Sequence, residues 1–344
     1  MRILLVTPRY YPDVGGVEYV VKSIAERLAA LGHETTVVTG DPKADKPLEE
    51  EISGVYVIRW PTWAPSNAYH IPKKRDQLRN LLQRLLNDLN DADAVHIHSA
   101  HAVLTVWAAV AARRIDPDVR IVFTLHYHGT GHSALRRLLW ISWRRYVAGA
   151  VEAADAIHAV SPREAELIKS HYPQSSGKTV VIPNGVEEDV FSHRWRGADS
   201  DYMMYAGRIE KYKRLEVAVD LAKKLGLRLL VVGRGAHRER LRRYARRRGA
   251  SVEFLDPQPR PDYLRLLAGA RYAVNPSRHE AYSIFAAEAL AMGVPTITTP
   301  EVAENLQAEA EPFRSGLVAI KHAPTLPWNQ IIPKYLALYE DSAN

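Results

Sequence analysis

Cysteine is missing from all 344 residues, which excludes disulfides, thiolate nucleophiles and cysteine-ligated metals together and fits a cytoplasmic setting. Long apolar runs are missing too. No stretch approaches the ~18 uninterrupted apolar residues of a membrane-spanning helix, and the run inside "MRILLVTPRYYPDVGG" is too short for the core of a signal peptide. The chain is therefore expected neither to span a membrane nor to be secreted by that route. Strong charge of one sign is absent: the formal net charge is +7, shared between the two halves. That suits anionic small ligands or an anionic membrane surface and gives no basis for nucleic-acid binding. The glycine pairs in "YPDVGGVEYVV" and "VGRGAHRERL" fall short of the dinucleotide fingerprint, and the second lacks the G-K-[ST] of a triphosphate loop. No low-complexity segment occurs.

What the chain does have is length and rhythm. With 344 residues and 47% apolar composition it can bury two cores. "RILLVT" reads as a buried strand, followed by a Pro/Gly loop. Val17, Val20, Val21, Ile24, Leu28 and Leu31 then recur at helical spacing up to Gly32, and "HETTVVTG" is the next strand. This β-loop-α-β order opens a parallel, doubly wound sheet. Strands follow at "VYVIRW", "AVHIHS", "RIVFTLH", "AIHAVS" and "TVVIPNG", with helices over 75–90, 102–114 and 134–150. The polar stretch 187–201 interrupts the rhythm. A second series then runs through "YMMYAGR", "LRLLVVG", "VEFLD", "YAVNPS" and "PTITT", with helices at 214–225, 237–248, 261–269 and 283–292. The halves share a period without sharing residues. The segment "LPWNQIIPKYLALYED" is an amphipathic helix whose apolar face must dock.

Two carboxylates stand out in "PSRHEAYSIFAAEALAMGVP". Glu280 precedes a helix and Glu288 lies within it, so at 1.5 Å per residue they are about 12 Å or more apart. That is too far for a glycoside-hydrolase pair, which needs about 5 to 9.5 Å. Between them, at Tyr282, Ser283 and Ile284, lies a helix start whose N–H groups and dipole attract phosphate. A nucleoside diphosphate sugar has hydroxyls at both ends and a pyrophosphate between. Two solvated glutamates on a surface helix are the plain alternative.

"AGRIEKYKR" follows a strand at the carboxyl edge of the second sheet, where Arg208 and Lys213 can clamp the same pyrophosphate or form a solvated basic turn. His96, His98, His101, His126 and His128 gather at two strand ends. They read as core or cleft histidines ahead of a metal site, because no carboxylate lies near them in sequence as a further ligand.

In order along the chain, "GGVEYVVKSIAERLAALGHETTVVT", "FTLH", "ADAIHAVSP", "VIPNGVEEDVF", "GRIEKYKRLE", "VGRGAHRERL" and "PSRHEAYSIFAAEALAMGVPTI" resemble retaining, nucleotide-sugar-dependent glycosyltransferases of the GT-B fold. That family includes glycogen synthases, sucrose synthases and mannosyltransferases. The resemblance covers most of the chain and carries the E-x7-E pattern. It implies an α/β protein of two Rossmann-like, doubly wound domains facing a cleft: 1–187 on the acceptor side, 188–328 binding the donor nucleotide, and a helix at 329–344 crossing back to the first domain. It implies His126 and Glu280 as catalytic residues, with Glu280 near the donor sugar and His126 on the sugar and acceptor side. Gly15 and Gly16 are expected in the loop closing over the reacting centre, Arg208 and Lys213 on the diphosphate, Ser283, Ile284 and Phe285 at the phosphate-facing helix start, and Glu288 on the ribose. The implied donor is a UDP- or GDP-sugar, used with no cofactor and no metal and with retention, and the acceptor a glycan, lipid-linked or small-molecule hydroxyl.

Two departures stand against that pattern. "EAYS" replaces the usual E-G-F-G, putting Ser283 where a glycine lies beside the phosphate, and the tail after "PEVAENL" is short. The stretch "ALRRLLWISWRRYVAGA" at 134–150 mixes Leu, Trp and Ile with paired arginines, and it reads either as an interfacial helix on an anionic membrane at the cytoplasmic face or as a core helix with snorkelling arginines. Rival functions are a phosphorylase or nucleotide-sugar epimerase on a similar fold, and a sugar-nucleotide-binding protein without catalysis.

Overall fold

A computed structural model describes residues 1–65, 69–88, 92–127, 129, 134–278 and 280–340, the side chains of 88 and 134–139 excepted. Contacts divide the chain into two compact units, Met1–Pro183 with Asn329–Asn344, and Asn184–Trp328. The first division falls within the Pro-Asn-Gly that ends "TVVIPNG", the seventh expected strand, slightly ahead of the polar stretch.

The first unit starts with β1 (Arg2–Thr7), buried at every residue but its first. This is the mark of a parallel strand covered on both faces. After it come α1 (Gly16–Ala30), β2 (Glu34–Asp41), β3 (Leu48–Ile52), β4 (Val55–Trp63), β5 (Ile71–Pro72) and α2 (Arg75–Gln83). The unit continues with β6 (Ala94–His98), α3 (Val103–Ile115), β7 (Arg120–Thr124), α4 (Ala134–Ala153), β8 (Ala156–Ala159), α5 (Pro162–His171) and β9 (Thr179–Val181). Helix α1 buries Val20, Val21, Ile24, Ala25 and Leu28 as one stripe. The sheet runs β3-β4-β2-β1-β6-β7-β8-β9, with β5 beside β4. Strands β3 and β5 pair antiparallel with β4, and the other pairs are parallel.

In the second unit the order is β10 (Tyr202–Ala206), α6 (Leu215–Leu225), β11 (Arg228–Val232), α7 (Arg238–Arg248), β12 (Val252–Leu255), α8 (Arg260–Ala268), β13 (Tyr272–Asn275) and α9 (Ile284–Ala291). Then come β14 (Thr296–Thr298), α10 (Pro300–Asn305), β15 (Glu309–Pro312) and β16 (Val318–His322). The sheet order is β12-β11-β10-β13-β14-β16-β15; β16 pairs antiparallel with both β14 and β15, and the other pairs are parallel. The last helix, α11 (Trp328–Glu340), belongs from Asn329 onward to the first unit. There Tyr339 and Tyr335 are buried beside His96.

Each sheet reverses its winding once, between β1 and β6 and between β10 and β13. At such a switch point the loops leaving two neighbouring strands diverge to opposite faces and open a crevice at the carboxyl edge, the place where open α/β sheets bind ligands. Gly15 and Gly16 follow β1, and His98 ends β6. Arg208 and Lys213 follow β10, while Glu280 and Ser283 follow β13.

Candidate active site

In the second unit, Asn275 closes β13 and organises the loop beyond it. Its amide Nδ2 donates to Glu280 Oε2 at 3.0 Å and to Ser283 Oγ at 2.7 Å, while its Oδ1 accepts from the Ser277 hydroxyl at 2.6 Å. Asn305 on α10 donates to the Glu280 carbonyl at 2.5 Å. Lys213 Nζ donates to Glu280 Oε1 at 2.7 Å, and the two side chains are only 12% and 16% exposed. Burial works to raise the Glu280 pKa, but the Lys213 charge and hydrogen bonds from Lys213, Asn275 and Ser277 outweigh it and hold the carboxyl below its ordinary value.

Ser283 N-caps α9: its Oγ accepts from the Ala286 N–H at 3.3 Å. The serine that replaces glycine in the E-G-F-G pattern thus serves the helix and the Asn275 amide. Capping Ala286 leaves the Ile284 and Phe285 N–H groups at the first turn with no intrahelical acceptor. Arg208 is exposed and donates to the Tyr212 hydroxyl at 3.1 Å; Lys213 sits 5.2 Å from the centre of the Tyr212 ring. The structure therefore brings Lys213, Glu280 and the start of α9 into one network, with Arg208 adjoining it through Tyr212.

Glu288 belongs to a different network. Buried in α9, it accepts from Arg260 Nη1 and from the Tyr263 hydroxyl, both at 2.5 Å. Arg260 also grips Asp189, Nε to Oδ2 at 3.0 Å and Nη2 to Oδ1 at 2.8 Å. Burial raises the Glu288 pKa against the opposing charge of Arg260 and the two hydrogen bonds. Arg260 is the first residue of α8, where the helix dipole disfavours a cation by about 0.3 to 1 kcal/mol. Two carboxylates offset that cost. Sequence reasoning missed Asn275, Arg260, Tyr263 and Asp189; the one available signal was an arginine between two prolines at a helix start.

Gly233 and Gly235 let two loops touch backbone to backbone. Gly233 has φ +143°, and a Cβ there would lie 2.0 Å from the Gly207 carbonyl oxygen; one at Gly235 would lie 2.2 Å from that of Ile209. Ile209 N donates to Arg234 O at 2.8 Å. These glycines fix the start of the Arg208 loop.

In the first unit the two N-terminal glycines differ. A Cβ on Gly15 would come within 2.2 Å of Glu18 Oε2, whereas one on Gly16 would meet nothing within 4 Å. Glu18 is buried and ion-paired with Arg9. His126 leaves β7 in the left-handed region, φ +49°, with Nε2 3.3 Å from His98 Nδ1 and the rings 5.6 Å apart. Burial, then repulsion from His158 and His101, pushes its pKa down to about 3. His96, His98 and His158 are also driven down, burial first.

With these imidazoles neutral, their hydrogen bonds have one self-consistent direction. His158 Nε2 donates to Ile182 O at 2.8 Å, so its Nδ1 accepts from Thr124 Oγ1 at 2.6 Å. Thr124 in turn accepts from His96 Nε2 at 2.7 Å, and His96 Nδ1 accepts from the Tyr339 hydroxyl at 2.7 Å. Glu164, at the third position of α5, accepts from the Val160 N–H at 2.7 Å and from the Tyr127 N–H just after His126. Burial pushes its pKa up to about 7 against these two bonds. His128 lies outside the described residues. Among those described, no group of three or more His, Cys, Asp or Glu side chains is placed to hold a metal ion, and no helix is long and apolar enough to cross a membrane.

Comparison with known proteins divides the chain at nearly the same place. The family model "Glycosyltransferase Family 4" matches residues 14–190, and "Glycosyl transferases group 1" matches 187–324. The chain belongs to this glycosyltransferase family; it is a group 1 glycosyltransferase of GT-B type. It is 28% identical over 313 residues to O-antigen chain mannosyltransferase C of Escherichia coli, covering 87% of this chain and 79% of that one. It is 26% identical to the GDP-mannose-dependent alpha-mannosyltransferase of Mycolicibacterium smegmatis, covering 92% and 84%. Among solved structures, Anabaena HepE in complex with UDP and glucose superposes with a TM-score of 0.64 at 17% identity, covering 99% of this chain and 90% of that one.

Proposed function

We propose that the chain is a retaining hexosyltransferase that moves a sugar from a UDP- or GDP-sugar to the hydroxyl of a glycan, lipid-linked or small-molecule acceptor, without a metal ion or cofactor. The observation that carries this reading is the Lys213–Glu280 pair, tied through Asn275 to the cap of α9. It puts an ammonium, a carboxylate held ionised and a helix start in one small volume. A lysine ammonium has three N–H donors, and Glu280 uses one. The others, with the planar Arg208 guanidinium and the Ile284 and Phe285 N–H groups, suit a leaving diphosphate whose charge grows as the anomeric C–O bond breaks. The acceptor oxygen bonds to the anomeric carbon on the face the diphosphate leaves, and the acceptor proton passes to a phosphate oxygen. Glu288 binds the ribose, and Gly15 and Gly16 close over the reacting centre. His126, neutral down to acid pH, is a hydrogen-bond partner for the sugar and acceptor. The GDP-mannose-dependent alpha-mannosyltransferase among the relatives, and HepE, solved with UDP and glucose, support the nucleotide-sugar class.

The test is calorimetric titration of GDP, UDP and their sugars in EDTA, followed by NMR of the product. Binding without divalent metal and a product anomer matching the donor's are expected; an inverted anomer removes retention, and dependence on added metal removes the metal-free assignment. Glu280→Gln is expected to lower turnover far more than donor affinity, and a variant with wild-type rates strips Glu280 of a catalytic part.

The same reading makes the chain a cytoplasmic enzyme touching the anionic inner face of a membrane through 134–150. On α4, Ile141 and Tyr146 are 64% and 65% exposed and flank the exposed Arg145, the amphipathic mix that an interface favours. Flotation with anionic vesicles at low salt tests it, and a protein left at the bottom of the gradient sinks it.

A further inference from the structure

A carboxylate that reads a vicinal diol must be turned toward it and must keep acceptor positions open. Glu288 is buried with 5% of its side chain exposed, so its orientation is set by what surrounds it. Oε1 is held by Arg260 Nη1 and Oε2 by the Tyr263 hydroxyl, both at 2.5 Å. An ionised carboxylate offers about four lone-pair positions. Two are taken here, one on each oxygen, and two are left, again one on each. That is the number a pair of neighbouring hydroxyls fills.

Arg260 is itself fixed from behind. Nε and Nη2 make a bidentate pair with Asp189 at 3.0 and 2.8 Å, which leaves Nη1 to point at Glu288. Its guanidinium carbon lies 5.6 Å from the centre of the Tyr263 ring, so the two donors to Glu288 also pack on each other. Such a planar fork, gripped on one edge and donating from the other, is something a lysine cannot reproduce.

We propose that Arg260 and Tyr263, with Asp189 behind them, are positioning residues that aim the Glu288 carboxylate at the ribose diol and so make the site select ribonucleotide over deoxyribonucleotide donors. This rests on the ribose assignment of Glu288 made above. Neither residue touches the ribose; both act through Glu288.

The readout is the ratio of dissociation constants for 2′-deoxy-GDP over GDP and 3′-deoxy-GDP over GDP, with the UDP series in parallel, measured by calorimetry on the full chain. The wild type is expected to prefer the ribonucleotide by about 10- to 100-fold at one hydroxyl or both, the range for a hydrogen bond to a charged group. Glu288→Gln brings the ratio near one. Arg260→Met and Tyr263→Phe lower it toward the Glu288→Gln value, and Arg260→Met adds nothing once Glu288→Gln is present. Arg260→Lys restores little of the ratio. Tyr263→Phe removes a single hydroxyl and keeps the test open should Arg260→Met fail to fold. Wild-type ratios in the Arg260 and Tyr263 variants, alongside a collapsed ratio in Glu288→Gln, overturn the positioning roles and leave the ribose assignment standing. A wild-type ratio in Glu288→Gln itself overturns the ribose assignment.

Discussion

Replacing Lys213 with methionine removes the ammonium while keeping most of its apolar length. It leaves Glu280 with its donors from Asn275 and Ser277 and no neighbouring cation. Breaking a fully buried ion pair by removing one partner costs about 3 to 5 kcal/mol, and exposed pairs contribute about 0 to 1 kcal/mol. With 12% and 16% of the two side chains exposed, the pair lies nearer the buried limit, and a loss of about 1 to 3 kcal/mol is expected. At about 2.1 cal/mol/K of unfolding entropy per residue, that lowers the Tm of the whole chain, melting as one, by about 1.4 °C per kcal/mol. The double variant Lys213→Met/Glu280→Gln, in which no charge is stranded, is expected to recover part of the loss.

The pH dependence has a definite sign. Because the folded-state pKa of Glu280 lies below its ordinary value of 4.5, its contribution is present above that value and is lost as pH falls through the folded pKa. The gap in Tm between wild type and Lys213→Met should therefore narrow on acidification below pH 4.5. In the same variant the affinity for GDP or UDP falls about 10- to 100-fold, the cost of a charge-assisted hydrogen bond. Differential scanning fluorimetry from pH 3.5 to 8 and calorimetry with the diphosphates read both effects. A variant that melts like the wild type and binds diphosphate as tightly refutes the pairing and the diphosphate role together.

Gly15→Ala pushes against Glu18 and its Arg9 partner and should destabilise by about 1 to 3 kcal/mol, whereas Gly16→Ala, which meets open space, should leave Tm unchanged and report through turnover alone; equal melting of the two variants would contradict the packing. Gly233→Ala places its Cβ 2.0 Å from a backbone oxygen at φ +143° and is expected to cost about 3 kcal/mol or more, a prediction undone by a soluble protein of wild-type Tm. The histidines give an acid limb. His158, pushed down by burial from 6.5 to about 4, contributes about 3 kcal/mol that is complete above pH 6.5 and lost as pH falls toward 4, and His96, His98 and His126 act in the same sense. Glu164, pushed up from 4.5 to about 7, opposes them by gaining stability as pH falls from 7 to 4.5. Tm should still drop from pH 6.5 to 4, and a flat profile would mean the imidazoles are solvated.

The helical periods were legible because apolar stripes fix helix faces: helices expected at 214–225, 237–248 and 283–292 are Leu215–Leu225, Arg238–Arg248 and Ile284–Ala291. The helix expected over 75–90 ends at Gln83 and passes into a wider, i→i+5 turn over Arg84–Asp88; its last expected residues, 89 and 90, lie outside the described residues. Short antiparallel edge strands such as Glu309–Pro312, exposed at every residue, have no alternation to read. In the site, Glu280, Glu288, Arg208 and Lys213 could be named because each sits in a motif beside a strand end or helix start. Asn275 could not, since its partners are fixed by how the loop after β13 folds back. Arg260 reads as a polar residue at a helix start until α8 and α9 are placed side by side and its guanidinium meets Glu288.

The two switch points share one architecture and treat charge in opposite ways. In the second unit the chain sets charges against each other: Lys213 against Glu280, both little exposed, and Arg260 between buried Glu288 and exposed Asp189. In β6, in β8 and just after β7 the first unit buries four histidines, His96, His98, His158 and His126, whose pKa values burial drives down so that they stay neutral, each hydrogen-bonded to or stacked on an uncharged neighbour. Moving ions from water into a protein is costly unless partners are preorganised, so fixed ions are worth holding only where a ligand brings charge of its own. A sugar hydroxyl brings none, and a neutral imidazole can both donate to it and accept from it. On the proposed reading, the charged crevice takes the diphosphate half of the nucleotide-sugar reaction and the neutral one the hydroxyl half.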